Sequence, residues 1–391
     1  MGYGVASSPH VLDPDSTPIL MRRVCWALVP ALAWGWFVFG RTVPMATLAC
    51  LAGCLAAEEI CRRLRRAAPT LGDGSAVVTA LLLACVLPPN IPLWQAALGG
   101  VFAIGIGKHA FGGLGANIWN PALLARAFLQ NSRPVDMMSG DYPWLDIKPD
   151  GGWRDWLANF GRDLSGSFAD VNHAARPLAD AVSRASPLAE GAAAEVAARA
   201  DALTAATALT AIHNPPAAAD GGPPAALLAG WDSDAVWRTW IGFEGGNIGE
   251  VSAVLLLAGG LYLLWKRVIS WEIPVVYLAA AGLLGWLLPH PYRVGEAMAW
   301  TAWGSGPWLL HLGAGGLMIG AWFMATDPVT GPLTRSGKLV FAAGCGLLTL
   351  LIRLYGGYPE GVCYSILIMN TCVPLIDSLT RPRVFGKTAR P

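Results

Sequence analysis

Charged residues are scarce in this chain. Lysine, arginine, aspartate and glutamate make up 14% of its 391 residues, against about 25% in soluble globular domains. Hydrophobic residues reach 54%, above the usual share of about 45–50%. The composition excludes an ordinary soluble enzyme and predicts an all-α polytopic membrane protein. A formal net charge of +1 gives no reason to expect a nucleic-acid partner.

The sequence also lacks patterns that bind metals or form disulfide frameworks. Its eight cysteines lie in apolar segments or at their ends, and none forms a Cys-x-x-Cys pair. Its six histidines show no metal-ligand spacing. We therefore predict no metal site, no disulfide framework and no iron–sulfur cluster bound by this chain alone. The cysteines are expected to act as small packing residues.

Apolar segments that approach the length of a membrane span, about 20 residues, recur along the chain. They predict about ten transmembrane helices, of which the fifth is short enough to be a half-helix. The spans are expected near 21–40, 43–61, 75–91, 94–111, 119–131, 248–265, 270–288, 307–325, 338–355 and 361–379. The predicted regions are an N-terminal arm (1–20), a first membrane repeat (21–131), an extracytoplasmic segment (132–247), a second membrane repeat (248–380) and a tail (381–391).

Positive charge marks one side of the predicted bundle. The clusters are Arg22 and Arg23, Arg62 to Arg66, Lys266 and Arg267, Arg335 and Lys338, and Arg381 to Lys387. With ten spans, every cluster falls on the same side. Because lysine and arginine concentrate in cytoplasmic loops, both termini are expected in the cytoplasm and the segment 132–247 outside.

The two predicted membrane regions share a motif order. PPNIPL at 88–93 matches PVTGPL at 328–333, and FGG at 111–113 matches YGG at 355–357. The charge pattern places the first motif outside and its counterpart inside. We therefore predict two inverted five-helix repeats, an arrangement that often sets a binding site at broken helices near the midplane. The alternative is that proline and glycine merely mark loops.

Several motifs together resemble one family of membrane proteins. They are MATDPVT at 324–330, GKHAFGGLG at 107–115, NPAL at 120–123, GNIGEVS at 246–252 and SSPH at 7–10. The chain resembles the family of D subunits of Rnf electron-transport complexes and their relative, the B subunit of the Na⁺-pumping NADH:quinone oxidoreductase. The resemblance covers nearly the whole membrane part and is weakest at 135–200.

The resemblance implies covalently bound FMN. In that family a threonine within an S-G-A-T-like run carries FMN through a phosphoester bond. DALTAATAL at 201–209 matches this run, with Thr207 at the attachment position and Asp201 and Thr204 beside it. The departures are Thr204, where serine is usual, and Ala205, where glycine is usual. On the residues alone, an Ala/Thr-rich helix or linker is the simpler interpretation.

Attachment of FMN requires a separate flavin transferase. That enzyme brings the pyrophosphate of FAD to the threonine hydroxyl, which displaces AMP and keeps FMN. A hydroxyl is a poor nucleophile until a base or a metal activates it. The segment must therefore enter the transferase's active site, and small neighbours such as Ala205 and Ala206 favour this.

The resemblance also implies a second flavin, riboflavin or FMN, held without a covalent bond among the spans. Gly112 and Gly113 would let the backbone approach a flat ring. Asn120 and Arg126 would hydrogen-bond the isoalloxazine ring or pair with its anionic form or with a phosphate group. Close helix packing through small residues is the alternative for the glycines.

Two acidic residues are candidates for an ion path. Asp327 precedes Pro328 where a span meets its loop, so it either forms a turn or lies on the path as a costly membrane carboxylate. Glu250 opens the sixth span, where the helix dipole alone also favours an acid.

A pair of glutamates, Glu58 and Glu59, lies one turn before Arg62 and Arg63. This spacing predicts ion pairs at the membrane interface, and a role on an ion path is the alternative.

The resemblance implies a membrane component of an Rnf-type ferredoxin:NAD⁺ oxidoreductase that passes electrons between flavins, coupled to Na⁺ or H⁺ translocation. Its location would be the bacterial inner membrane. Its partners would be the lipid bilayer and the A, B, C, E and G subunits of the complex, including a second covalent flavoprotein on the outer face. The alternatives are the B subunit of the Na⁺-translocating quinone reductase and a flavin-free channel or secondary transporter.

Overall fold

The computed structural model describes residues 16–66, 70–138, 236, 239–242, 246–294, 297–356 and 360–381. Within these residues the chain is a bundle of apolar helices, as the composition predicts. Three of the described helices, Thr42–Arg65, Arg335–Tyr355 and Val362–Leu379, are long and apolar enough to cross a membrane, and several shorter apolar helices accompany them.

The first group of helices is α1 (Thr17–Phe39), α2 (Thr42–Arg65), α3 (Ser75–Cys85), α4 (Leu93–Gly105), α5 (Pro121–Ser132) and α6 (Pro134–Met138). The second group is α7 (Ala253–Trp265), α8 (Glu272–Leu287), α9 (Trp308–Gly313), α10 (Leu317–Ile319), α11 (Arg335–Tyr355) and α12 (Val362–Leu379). A π-helical turn, Gly320–Met324, follows α10 directly. Because α1 already begins at Thr17, the predicted arm 1–20 overlaps the first helix.

Two of the predicted spans are interrupted. The span predicted at 75–91 ends as a helix at Cys85, before three prolines that cannot donate backbone hydrogen bonds. Backbone N–H groups of Gly249 and Ile248 satisfy carbonyls at this helix end, bonding Cys85 O at 2.8 Å and Leu87 O at 3.0 Å. The span predicted at 307–325 is not one continuous helix, because α9 stops at Gly313 and α10 starts only at Leu317.

The fifth span is short, since α5 has 12 residues, and at 1.5 Å per residue it covers only part of the roughly 30 Å hydrocarbon core.

An antiparallel β-hairpin, β1 (Pro291–Val294) and β2 (Ala297–Trp300), was not predicted and corrects the all-α expectation. Its register pairs Pro291 with Trp300.

Helix packing follows the same scheme in both groups. Helix α2 packs along α4, and its counterpart α8 packs along α11. Glycines allow close approach in both pairs: Gly53 faces the carbonyl of Ala97, and Gly346 faces the carbonyl of Tyr277. This correspondence agrees with the predicted repeat. The repeat and the inversion of one half relative to the membrane both stay predictions.

Several positively charged residues form hydrogen bonds at one end of the bundle. Arg23 Nη1 donates to the carbonyl of Lys266 at 3.5 Å. Arg335 Nε donates to Glu272 Oε1 at 2.8 Å, and Lys338 Nζ donates to Ser270 Oγ at 3.1 Å. We call this end, formed by the start of α1, the end of α7 and the starts of α8 and α11, the basic end.

Candidate functional site

A cavity of about 190 Å³ lies at the basic end, between the starts of α1 and α3, the end of α7 and the loop after the π-helical turn. Its walls are mostly apolar, with the ring of Phe323 among them. The polar side chains in its wall are Ser75, Thr79, Lys108, Asn117, Asn120, Thr326 and Asp327. The cavity therefore contains two of the predicted site residues, Asn120 and Asp327.

Asn120 caps α5 and ties it to the second half of the chain. Its Oδ1 accepts hydrogen bonds from the backbone N–H groups of Ala122, at 3.0 Å, and Leu123, at 3.3 Å. Asparagine is a favoured N-cap, and Pro121 suits the first helical position. The amide nitrogen donates to the carbonyl of Met324 at 3.3 Å, which leaves one of its two N–H groups for another acceptor.

Asp327 forms a turn and also faces the cavity. Its Oδ1 accepts from the backbone N–H of Val329 at 3.1 Å, and its Oδ2 accepts from the hydroxyl of Thr330 at 3.2 Å. The residue is partly exposed as a whole. Desolvation of the carboxyl group nevertheless raises the pKa of Asp327 above its usual range, against the effect of the two donors. The turn is present, and a role on an ion path stays a prediction.

The glycine loop has a conformational explanation. Gly112 and Gly113 have φ angles of 130° and 105°, a region that residues with a side chain rarely adopt. Neither glycine is among the residues that line the cavity, whereas the neighbouring Leu114 is. The structure thus accounts for both glycines by turn geometry, and their contact with a flat ring stays a prediction.

A buried ion pair contributes its lysine to one wall of the cavity. Lys108 Nζ is 2.9 Å from each carboxylate oxygen of Glu58 and 2.8 Å from the hydroxyl of Ser75. The side chains of Lys108 and Glu58 are 3% and 0% exposed. The predicted interfacial role of Glu58 is therefore wrong, because its face of α2 points into the bundle.

Glu59 behaves as its spacing predicts. It forms ion pairs with Arg62 and Arg63, at 2.6 Å in each case. The ion pairing predicted for Glu59 is therefore confirmed, and its location at the membrane interface stays a prediction.

A second buried cluster joins α5, the loop before α7 and the start of α12. Arg126 donates to Glu250 Oε1 at 3.1 Å and also to Glu360. Asn247 Nδ2 donates to both carboxylates at 2.8 Å. Arg126 and Glu250 are 6% and 1% exposed, whereas Glu360 is 28% exposed. One guanidinium thus compensates two carboxylates.

Arg126, a predicted flavin ligand, lies outside the wall of the cavity, which Asn120 lines. Its guanidinium already has carboxylate partners, which meets the need of a cation at membrane depth. A direct contact between Arg126 and a flavin stays a prediction. Glu360 was not predicted as a site residue, although an acidic residue directly before the last apolar span is a signal that could have identified it.

Two histidines that the sequence presents as isolated form a pair. The Nε2 atoms of His290 and His311 are 2.7 Å apart, and both residues are fully buried. Burial lowers the pKa of His290 to about 4, so its ring is neutral near pH 7. The carbonyl of His311 accepts from Arg353 at 2.7 Å.

Comparison with known proteins identifies the family. Residues 4–386 match the model of the NQR2, RnfD, RnfE family. The chain belongs to this family. The predicted resemblance is therefore confirmed, and it extends over nearly the whole chain.

Members of the family from three bacteria show the same relationship. The D subunit of the Na⁺-translocating ferredoxin:NAD⁺ oxidoreductase complex of Acetobacterium woodii is 38% identical over 98% of this chain and 95% of its own. The proton-translocating counterpart of Clostridium ljungdahlii is 38% identical over 98% and 96% of the two chains. The D subunit of the ion-translocating oxidoreductase complex of Stutzerimonas stutzeri is 39% identical over 96% and 94%.

The run predicted to carry FMN, DALTAATAL at 201–209, lies outside the described residues. Thr207, Asp201 and Thr204 all belong to the interval 139–235, which the structure does not describe. Their roles therefore rest on the sequence motif.

Proposed function

We propose that the chain is the D-type membrane component of an ion-translocating ferredoxin:NAD⁺ oxidoreductase. The observation that carries this proposal is its 38% identity to the corresponding protein of A. woodii across 95% of that protein. The chain would lie in the inner membrane with both termini in the cytoplasm, beside the other Rnf subunits. A sodium-translocating and a proton-translocating relative are equally similar to the chain, so the translocated ion in this proposal is Na⁺ or H⁺.

The proposed cofactors are FMN esterified to Thr207 and a second flavin, riboflavin or FMN, in the cavity at the basic end. The first rests on the DALTAATAL motif at 201–209 and on family membership. The second rests on the cavity itself, which combines an apolar wall with a few polar groups, the usual character of a cofactor site.

The cavity fits the ring portion of a flavin. Its volume of about 190 Å³ is below the roughly 300–1,000 Å³ of pockets that enclose whole drug-sized ligands, so the ribityl chain would lead out of it. The spare amide N–H of Asn120 would donate to a ring carbonyl or nitrogen, and Phe323 would pack against the ring. A bound flavin supplies the redox chemistry, while these residues bind and orient it.

Glu250 and Asp327 are the proposed ion-path residues. Glu250 is buried where the broken end of α3 meets the loop before α7, and Asp327 is partly exposed at the cavity. Carboxylates in such places are costly in a membrane protein and often functional.

The cavity proposal predicts that Asn120→Asp weakens flavin binding roughly tenfold, which corresponds to about 1.4 kcal/mol for one lost hydrogen bond. Aspartate keeps the capping oxygen but loses the amide donor. The measurement is the flavin extracted by acid from purified full-length chain that also carries Thr207→Ala. Asn131→Asp is the matched control, because Asn131 lies near the far end of the same helix, bonded to Ala127. Full flavin content in Asn120→Asp would contradict the assignment.

The assignment to an Rnf complex predicts which electron donor the purified complex accepts. Reduced ferredoxin should support NAD⁺ reduction, with electron flow that stops when this protein is left out of the complex. NADH-dependent quinone reduction without ferredoxin would instead identify the quinone-reductase relative. A complete chain without any extractable or attached flavin would indicate the channel or transporter alternative.

A further inference from the structure

Lys108 is held rigidly at the wall of the cavity. Its ammonium group has three hydrogens and three acceptor atoms within 2.9 Å, namely both carboxylate oxygens of Glu58 and the hydroxyl of Ser75. The side chain is 3% exposed. A lysine in this position cannot swing towards solvent when the cavity is filled, so its charge stays beside the cavity.

The charges around the cavity are arranged unevenly. Lys108 and Asp327 are the two ionisable side chains in its wall, among the residues described. Asp327 directs its oxygens to Val329 and Thr330 of its own loop. Glu58, which compensates Lys108 and is also approached by His109 Nε2 at 3.1 Å, does not line the cavity. The cation is therefore nearer to the cavity than its counter-ion.

We propose that Lys108 raises the reduction potential of the flavin in this cavity and that Glu58 limits the rise. This inference rests on the proposed function, because it requires a flavin in the cavity. A ring that takes up an electron without a proton gains one negative charge. A nearby cation in a water-poor site stabilises that charge more strongly than it would in water, and removal of the counter-ion strengthens the effect.

The test compares two substitutions with opposite expected effects. In full-length chain carrying Thr207→Ala, the midpoint potential of the remaining flavin is measured by titration with dithionite, which supplies the electrons, in the presence of reference dyes. Lys108→Met should lower the potential, and Glu58→Gln should raise it. We expect at least a tenfold change in the reduction equilibrium in each direction, which is about 59 mV for a one-electron step.

Two further variants separate charge from structure. Lys108→Arg keeps the positive charge, so its potential should stay close to that of the parent. Lys338→Met removes a lysine that bonds Ser270 at the same basic end but does not line the cavity, so it should leave the potential unchanged. A purely structural role of the ion pair would move the potentials of Lys108→Met and Glu58→Gln in the same direction.

The outcomes distinguish this inference from the proposed function. Shifts of the same sign in Lys108→Met and Glu58→Gln, or no shift with flavin bound, would overturn the inference. If Lys108→Met binds no flavin, the decision passes to Glu58→Gln, where a rise supports the inference and an unchanged potential overturns it. Absence of flavin from the Thr207→Ala parent would instead contradict the proposed cavity occupant.

Discussion

Thr207→Ala is expected to abolish the flavin fluorescence of this chain in a denaturing gel under ultraviolet light. Denaturation releases a flavin that is held only by hydrogen bonds and packing, whereas a phosphoester bond survives it. Alanine has no hydroxyl, so the transferase would have no atom to which it can join FMN. The fluorescent band should be lost completely, since the change removes the bond rather than weakening it.

The run offers a matched control for this experiment. Thr210 lies three positions further along, also followed by alanine, so Thr210→Ala changes the same chemical group nearby and should leave the fluorescence intact. Thr207→Ser retains a hydroxyl and should restore at least part of the signal. Mass spectrometry that finds an unmodified Thr207 in assembled complex, or fluorescence that persists in Thr207→Ala, would refute the attachment site.

Arg126→Met is expected to destabilise the protein by roughly 3–5 kcal/mol, the cost of removing one partner from a buried ion pair. The substitution keeps much of the side-chain volume but leaves Glu250 and Glu360 on either side of Asn247 without their cation. Thermal unfolding of the purified chain in detergent would report the loss. The same measurement on Arg63→Met, whose side chain is 74% exposed and pairs with Glu59, should show only a small change.

A second substitution distinguishes charge from packing in this cluster. Glu250→Gln in the Arg126→Met background removes one of the two stranded carboxylates, while Glu360 remains partly in contact with solvent. We therefore expect the double variant to recover part of the lost stability. An Arg126→Met protein as stable as its parent would show that the guanidinium does not compensate these acids.

Local patterns in the sequence predicted many of the helices but not where they break. The span predicted at 43–61 corresponds to α2 and the span at 338–355 to α11, because both are long apolar runs. The helix in the span predicted at 75–91 ends early, at Cys85. The carbonyls of Cys85 and Leu87 then accept hydrogen bonds from Gly249 and Ile248, in a loop more than 160 residues away. Hydropathy treats those residues as unrelated and cannot anticipate such a bond.

At the candidate site, short sequence motifs likewise predicted single residues but not the pairs that residues far apart in the sequence form. Asn120 was predicted as a site residue because it belongs to the NPAL motif at 120–123, one of the short motifs that carry the family resemblance. The pairing of Glu58 was predicted wrongly, since its partner Lys108 lies 50 positions away whereas Arg62 lies within about one helical turn. Glu360 lies 234 positions from Arg126. Pairs at such separations become visible only when the helices are packed.

The π-helical turn at Gly320–Met324 determines where the next residues point. The N–H of Ala325 bonds the carbonyl of Gly320, five positions back, so this turn holds one residue more than an α-helical turn. The wider turn accommodates this surplus residue, so the residues that follow keep the orientation that an α-helix one residue shorter would give them. If the same residues were wound with α-helical spacing instead, the following chain would rotate by about 100°, and Thr326 and Asp327 would leave the cavity wall. The wide turn therefore acts as an angular correction, and we expect removal of one residue from Gly320–Met324 to be better tolerated than removal of one residue from a regular helix such as α11.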